Sequence, residues 1–596
     1  SRKGRLPMLQ PNESAPRGAR RGRLAGGTLA AALLAAAVAL GACADDGPTE
    51  PARAVPHGPS LAVNPACSGP GGQVHTIDTI KVARTWTRGN NPHRVNHIIY
   101  VEGPGSLTLK PGVLVCFASG AALRFNHGGR LVANGLDTAR IVLTGTNTVG
   151  SWWGMEMQGA PSVPSSLKNV VVEYTSTAYA LAALDTHAVN IDSTVFRQNE
   201  AGVYLMARGS SLRRSRVDTL SNPYAAAVTL GGKTTFQNTV IRAAAGVGLS
   251  VVGTDSVSLL GGRIEGSAGV GLVLAPPATG FLSTQPVRVT GGAGYPAQMD
   301  VSAFARLYST LADQDSLLGN ARDTLLVTGG TLTAGAYAGA ALPWYVTGPV
   351  TVQGSGWMQA SPGATLVFNG WGGITVTGGG RLWARGSQAA PVLFTGTGWE
   401  GLDFDGTPTT PQGQNNQARS YLTNVRVEGV YGIAVLAVDP HPVEIDSAVF
   451  RQNGAGVYLL TSGAGTRLSR SRVDTTSISM FAAVDVEYGV VESTFIRGSA
   501  GIGMRLRSSG VQVVSCEVRE SAAEGIVTWQ PVTVHDCNLV DNVGVGIDAL
   551  NLNSVDGENN WWGDAAGPTG PNGDGASALV DYTPWRTAPY VLPYVP

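Results

Sequence analysis

Arg216 and Asp218 stand two residues apart in SRVD, and the same four letters return with Arg472 and Asp474. Along a strand, residues i and i+2 share a face, so each pair presents a guanidinium beside a carboxylate. Cleaving a polysaccharide calls for such groups. Hydrolysis takes two acids flanking the bond, and proton abstraction from an acidic sugar takes a base and a cation that neutralises the sugar carboxylate. Arg197 and Arg451 are near enough in sequence to join the two sets. The competing reading is a solvated ladder of ion pairs on a strand face, and the duplication favours it, because copying reproduces a ladder more readily than it founds a second active site. Asp192 with Asp446, and Glu173 with Glu428, are duplicated in the same way. No catalytic residue is assigned.

Other chemistry-bearing residues are few. Cys516 and Cys537 fall on equivalent places of neighbouring repeats, within disulfide reach, and two readings stay open: a bridge, or a stack of free buried thiols. Cys67 and Cys116 could link the entering strand to the first repeat. Cysteine and histidine spacings match no zinc site. GDAAGPTGPNGDG at residues 563–575 offers Asp564, Asn572 and Asp574, but lacks the spacing of a calcium loop and reads as turns. No metal or other cofactor is called for. Trp152, Trp153, Trp371, Trp383 and Trp399 lie in glycine-rich segments, where flat rings either stack on sugars or fill corners. Only Lys168 and Lys233 follow Lys110, which leaves a lysine base few candidates.

The elements that position these residues are legible from composition and repeats. Glycine takes 80 of 596 positions, charged residues are 14%, and acids and bases are equal at 41 each. That composition is β-rich and turn-rich, and it carries no positive excess for nucleic acid. VFRQNEAGVYL at 195–205 returns as VFRQNGAGVYL at 449–459. Around it runs a shorter period: Ser193, Ser215, Asn238 and Gly262 in the first part, then Ser447, Ser471, Ser493, Cys516, Cys537 and Asn559. Alternation in VEIDSAV assigns Val443, Ile445, Ser447 and Val449 to one face and Glu444, Asp446 and Ala448 to the other. A fixed period of about 22 residues with strand alternation and no helical stripe means a solenoid of β-coils.

With these repeats, the opening coil at 107–135 matched at 360–386, and the closing NNWWGDAAGPTGPNG, the chain over residues 74–585 resembles the right-handed parallel β-helix proteins of the pectin-lyase-like superfamily, and among them bacterial secreted members. The resemblance implies an all-β, right-handed parallel β-helix. Its function is left open, since the fold hosts lyases, hydrolases, epimerases, adhesins and binding surfaces. SWWG at 151 pairs with GWEG at 398, and KNVVVE at 168 with TNVRVE at 423, so an ancestral half was doubled. Between the halves, Phe304, Leu307 and Leu311 share one helical face and predict a short helix near residues 302–313. Stacked coils would give a rod of about 100 Å. Residues 85–97 are expected in the first cap and Trp561, Trp562 and Trp585 in the last.

The N-terminus reads as a targeting segment, with a marginal membrane span as the competing reading. RGARRGR at 17–23 is basic, residues 24–42 carry no charge, and LGAC ends at Cys43. That ending resembles the lipobox of bacterial lipoprotein precursors, which implies cleavage before Cys43 and a lipid on it. The expected organisation is a signal peptide at 1–43, a flexible linker at 44–65, a first β-helix half at 66–299, a connecting segment at 300–345, and a second half with its cap at 346–596. The chain is then expected to be exported, held to the membrane of the cell envelope by lipid at Cys43, and to bind polysaccharide or other cell-surface components along a rigid scaffold. The alternatives are a polysaccharide lyase, hydrolase or epimerase on the same fold, and a purely structural or adhesive element.

Overall fold

The computed structural model describes residues 65–592 apart from 147–151, 178, 254–256, 276–281, 407–418, 439, 463–464 and 551–553. The proposed lipidation residue Cys43 and most of the expected linker lie outside them. Within them the chain is an all-β parallel solenoid of about 21 turns. One sheet, here the spine sheet, runs through both halves. In the second half a 10-stranded sheet and an 11-stranded sheet complete three-sided coils. They are called here the cleft sheet and the flank sheet. In the first half the two remaining rows of strands merge into one bent 17-stranded sheet, because Thr235–Ala244 and Ser258–Glu265 run through the corner unbroken.

The repeated VFRQN shows why a coil keeps these letters. Phe196 and Phe450 point inward and are fully buried, in columns such as Val172, Phe196, Val217 and Ile241. Each such side chain contributes about 1.5–3 kcal/mol by leaving water. Arg197 and Arg451 point outward and pair with Glu173 and Glu428 of the preceding coil, both at 2.8 Å. Gln198 and Gln452 turn the corner with φ of 53° and 57°. Asn199 and Asn453, buried, each accept a backbone N–H from the preceding coil and donate to one of its carbonyls. One residue packs, one pairs, one turns and one clamps.

A second corner corrects the alternation expected for VEIDSAV. Ser193, Arg214 and Asn238, and likewise Ser447, Arg470 and Ser493, hold left-handed φ between 45° and 53°. Each such residue shifts the phase by one, so Val443, Ile445, Ala448 and Phe450 face inward while Val449 faces out. The repeat register is corrected with it. Ser215, Ser471, Cys516 and Cys537 sit one place beyond the corner and point inward; Ser215, Ser471 and Cys537 accept backbone N–H groups of the preceding coil, from Thr194 at 3.2 Å, Ala448 at 3.1 Å and Cys516 at 3.4 Å, and the Cys516 thiol donates to the Val514 carbonyl at 3.4 Å. Cys516 and Cys537 are free thiols in this ladder, not a bridge. Cys67 and Cys116 form a disulfide.

A short helix α1, Pro65–Ser68, precedes the first strand. Between the halves the expected helix is two: α2, Val301–Leu307, and α3, Leu311–Gln314, each capped, by Asp300 and Thr310. Phe304 and Leu307 are buried, but Leu311 is 43% exposed, because the chain leaves helical geometry at Tyr308 and the expected single face breaks there. The helical coil has a consequence for the duplication. GVYL-type strands lie in the spine sheet in the first half (Val203–Leu205) and in the cleft sheet in the second (Ala455–Leu460), while VFR-type strands move into the spine sheet. Equivalent strands of the two halves therefore occupy different faces. Residues 85–97, expected as a cap, belong to the coils, through strands Ala83–Trp86 and His93–Val95. Trp86 still closes the core there, stacked on His75 at 3.9 Å and on His93 at 5.1 Å. At the far end Trp562 is buried and Trp585 packs beside it through Tyr582.

Candidate functional site

The residues singled out for chemistry come together as ladders. Glu173, Arg197, Asp218, Arg242 and Glu265 stand in one outward column over five successive coils, with charges alternating around Asp218. Arg216 pairs with Asp218 on its own strand, and Arg472 with Asp474 at 2.5 Å. Burial pushes the Asp218 carboxyl up despite the arginines. Asp192 and Asp446 take bidentate contacts from Arg214 and Arg470, which hold both carboxyls low. Each guanidinium here is occupied by a neighbouring carboxylate. Asp564 accepts the N–H groups of Ala566 and Asn572, and Asp574 those of Asn542, so the acidic tail is built as turns.

Three of the five tryptophans are core. Trp152 stacks on Phe117 at 4.0 Å and donates to the Glu173 carbonyl; its copy Trp399 stacks on Phe368 at 4.3 Å and donates to the Glu428 carbonyl. Trp383 is also buried. A Ser–His pair escaped sequence reading. Ser165 Oγ lies 2.8 Å from His187 Nε2 and Ser420 Oγ 2.9 Å from His441 Nε2. Each histidine also places Nδ1 on a backbone carbonyl, so Nε2 accepts from the serine hydroxyl. The hydroxyl in turn accepts a backbone N–H. All four side chains are buried in saturated networks, which makes them structural.

Because the halves share a scaffold, the places where they differ are informative. GWEGLDFDG at 398–406 corresponds to SWWGMEMQG at 151–159. In the first half Glu156 is ion-paired with Arg124 of the preceding coil and accepts from Gln158. In the second half Asp403 holds the Glu156 place, Thr375 the Arg124 place, Asp405 the Gln158 place and Glu400 the Trp153 place. The arginine is gone and three carboxylates remain. Thr375, Asp403 and Leu436 stand in register on successive strands of the cleft sheet. With Gly373, Glu400 and Ile433 they line a cleft of about 220 Å³. Gly401 makes its floor: φ is 95°, and a Cβ would meet the Ile433 carbonyl oxygen at 2.4 Å. Burial, with the charge of Asp405 adding, raises the Asp403 carboxyl.

Two rings flank the carboxylates at the corner that enters the cleft sheet. Trp371 is 81% exposed, one coil before Glu400, and Tyr431 is 78% exposed, one coil after it. Gly120 and Ser176 hold their places in the first half. Trp371 was legible in the sequence as an aromatic; Glu400, Asp403, Asp405 and Tyr431 were not, and only subtracting one half from the other marks them.

A family model described as "Right handed beta helix region" matches residues 413–561. The chain carries a right-handed β-helix domain. A search of curated proteins finds no match. The β-helix assignment concerns the fold and is compatible with a carbohydrate-related role; the cleft's chemistry is argued from its own residues.

Proposed function

We propose that the protein is a carbohydrate-binding β-helix that holds a neutral saccharide chain along the cleft sheet. The observation that carries this reading is a cleft lined by Glu400 and Asp403, with Asp405 two residues on and two exposed rings beside it; none of the three acids has an ion-pair partner among the described residues, in a half whose copy has the ion pair instead. Trp371 and Tyr431 offer flat faces to sugar rings, and carboxylates accept hydrogen bonds from sugar hydroxyls. Like charge disfavours an acidic polymer there. The basic run, the uncharged segment and LGAC support an exported chain anchored by lipid at Cys43. That part is checked by fatty-acid labelling of the whole chain, expected to vanish in Cys43→Ala.

The test of the cleft is incubation of the chain with neutral and acidic polysaccharides, followed by size-exclusion chromatography. Co-elution with a neutral polymer, weakened by about tenfold in Trp371→Ala, is the expected outcome. Failure to co-elute with any neutral polymer sinks the reading. A second reading, hydrolysis, is favoured by one observation: Asp403, its carboxyl raised by burial, stands two residues from a second acid, and glycoside cleavage uses a pair of acids. Shortening of the polymer by the wild type and not by Asp403→Asn decides for it.

A further inference from the structure

The flank sheet carries a second difference between the halves, away from the cleft. Tyr337, Trp357, Trp383 and Tyr421 come from four successive coils, joined in register through Gly335–Trp357–Arg381 and Tyr337–Gln359–Trp383–Tyr421. Trp357 meets Tyr337 edge to face at 4.9 Å and stacks on Trp383 at 5.7 Å. Trp383 is the buried floor, and Tyr337, Trp357 and Tyr421 are half-buried around it. The exposed guanidinium of Arg385 lies 4.7 Å over Tyr421 and 6.0 Å from the Trp383 ring. It has no carboxylate partner among the described residues, and residues 407–418 contain no Asp or Glu.

The first half is an internal control. There the same register holds Thr85, Ser106, Val132 and Ser166, with Asn134 in the place of Arg385. The scaffold around them is retained: Leu131 and Leu382 both donate to the serine of a buried Ser–His pair. A coil of this solenoid therefore closes without the aromatics. Gly335 changes together with them. A Cβ there would meet the Trp357 ring at 2.1 Å, and its counterpart beside Ser106 is Ala83.

We propose that this row is a second carbohydrate platform, separate from the cleft, which takes a carboxylate-bearing glycan, with sugar faces on Trp357 and Tyr421 and a carboxylate on Arg385. A planar guanidinium with its donors free is built to take a carboxylate two-handed, and the rings beneath hold it in place. The acids that follow in register, Glu444 after Tyr421 and Asp446 after Thr423, are each paired with an arginine, Arg419 and Arg470, which leaves the Arg385 charge to an anionic chain.

The test is calorimetric titration of the full chain with hyaluronate oligosaccharides, dextran as the neutral arm and dextran sulfate as the sulfated arm. Hyaluronate is expected to bind, and Arg385→Asn to weaken it by at least about tenfold while leaving dextran binding and thermal stability unchanged. The double change Gly335→Ala with Trp357→Ser, which restores the first-half pair, is expected to do the same; if it fails to fold, Arg385→Asn decides alone. Trp371→Ala, in the cleft, is expected to leave hyaluronate binding intact. No hyaluronate binding, binding unchanged in Arg385→Asn, or loss in Trp371→Ala instead overturns the proposal. Binding of dextran sulfate alone overturns the carboxylate assignment. Failure of the cleft reading would show in the dextran arm only.

Discussion

Four histidines, His75, His93, His187 and His441, are held neutral by burial, which lowers each imidazole below its usual value, that of His75 to about 4. In the unfolded chain they protonate near pH 6.5, so below that pH the unfolded state binds protons that the folded state refuses. Their contribution to stability is complete above about pH 6.5 and is lost as the pH falls toward 4. Thermal unfolding as a function of pH should therefore be level from this cause above 6.5 and decline below it, with a shallower decline in His75→Phe. The cysteine ladder makes a second prediction. Cys516→Ser keeps a side-chain donor to the Val514 carbonyl and the volume of the neighbouring serine positions, so its cost should stay below about 1 kcal/mol, whereas Cys516→Leu overpacks the coil and should cost about 1–3 kcal/mol by urea titration. Single residues were the least legible scale. Asp403 reads in the sequence as any strand acid, and what distinguishes it is the arginine its copy has and it lacks.

At the scale of elements, strands and coils were legible because inward and outward residues alternate and the period recurs. The error fell at the corner, where one left-handed residue transfers every later side chain to the opposite face, and serine or arginine serves there as readily as asparagine. The helical insertion was legible as well, but not its division, since Tyr308 breaks the helix for a tertiary reason: its hydroxyl reaches the Val287 carbonyl and its ring is buried. Phe304 packs edge-on against Trp344 at 5.2 Å at this join. Phe304→Ala should therefore cost about 3–5 kcal/mol, while Leu311→Ala, exposed on α3, should stay within about 0.5 kcal/mol, both read from denaturant midpoints.

Across the whole molecule, coils contact mainly their neighbours, and stability is a sum of local terms. The Cys67–Cys116 disulfide ties the entry segment to the third coil, through strand Leu114–Phe117, so Cys67→Ser should raise amide exchange in the coils around residues 65–145 and leave those beyond residue 340 unchanged; a uniform rise would contradict this locality. The helical coil sets equivalent strands of the two halves on different faces, which is why the charged ladder of Glu173 and Arg197 and that of Glu428 and Arg451 do not form one continuous column. Sequence alone determined the β-solenoid, its period and its doubling, since burial periodicity and repetition are properties of the chain order itself. Only the tertiary structure decided which residues share a face at each corner, that the thiols stack unbridged, that Trp152 and Trp399 are core while Trp371 and Tyr431 stand in solvent, and that Glu400 and Asp403 line one cleft. Those outcomes depend on contacts between coils some twenty residues apart, and a linear pattern records the spacing of such residues but not the neighbour each one meets.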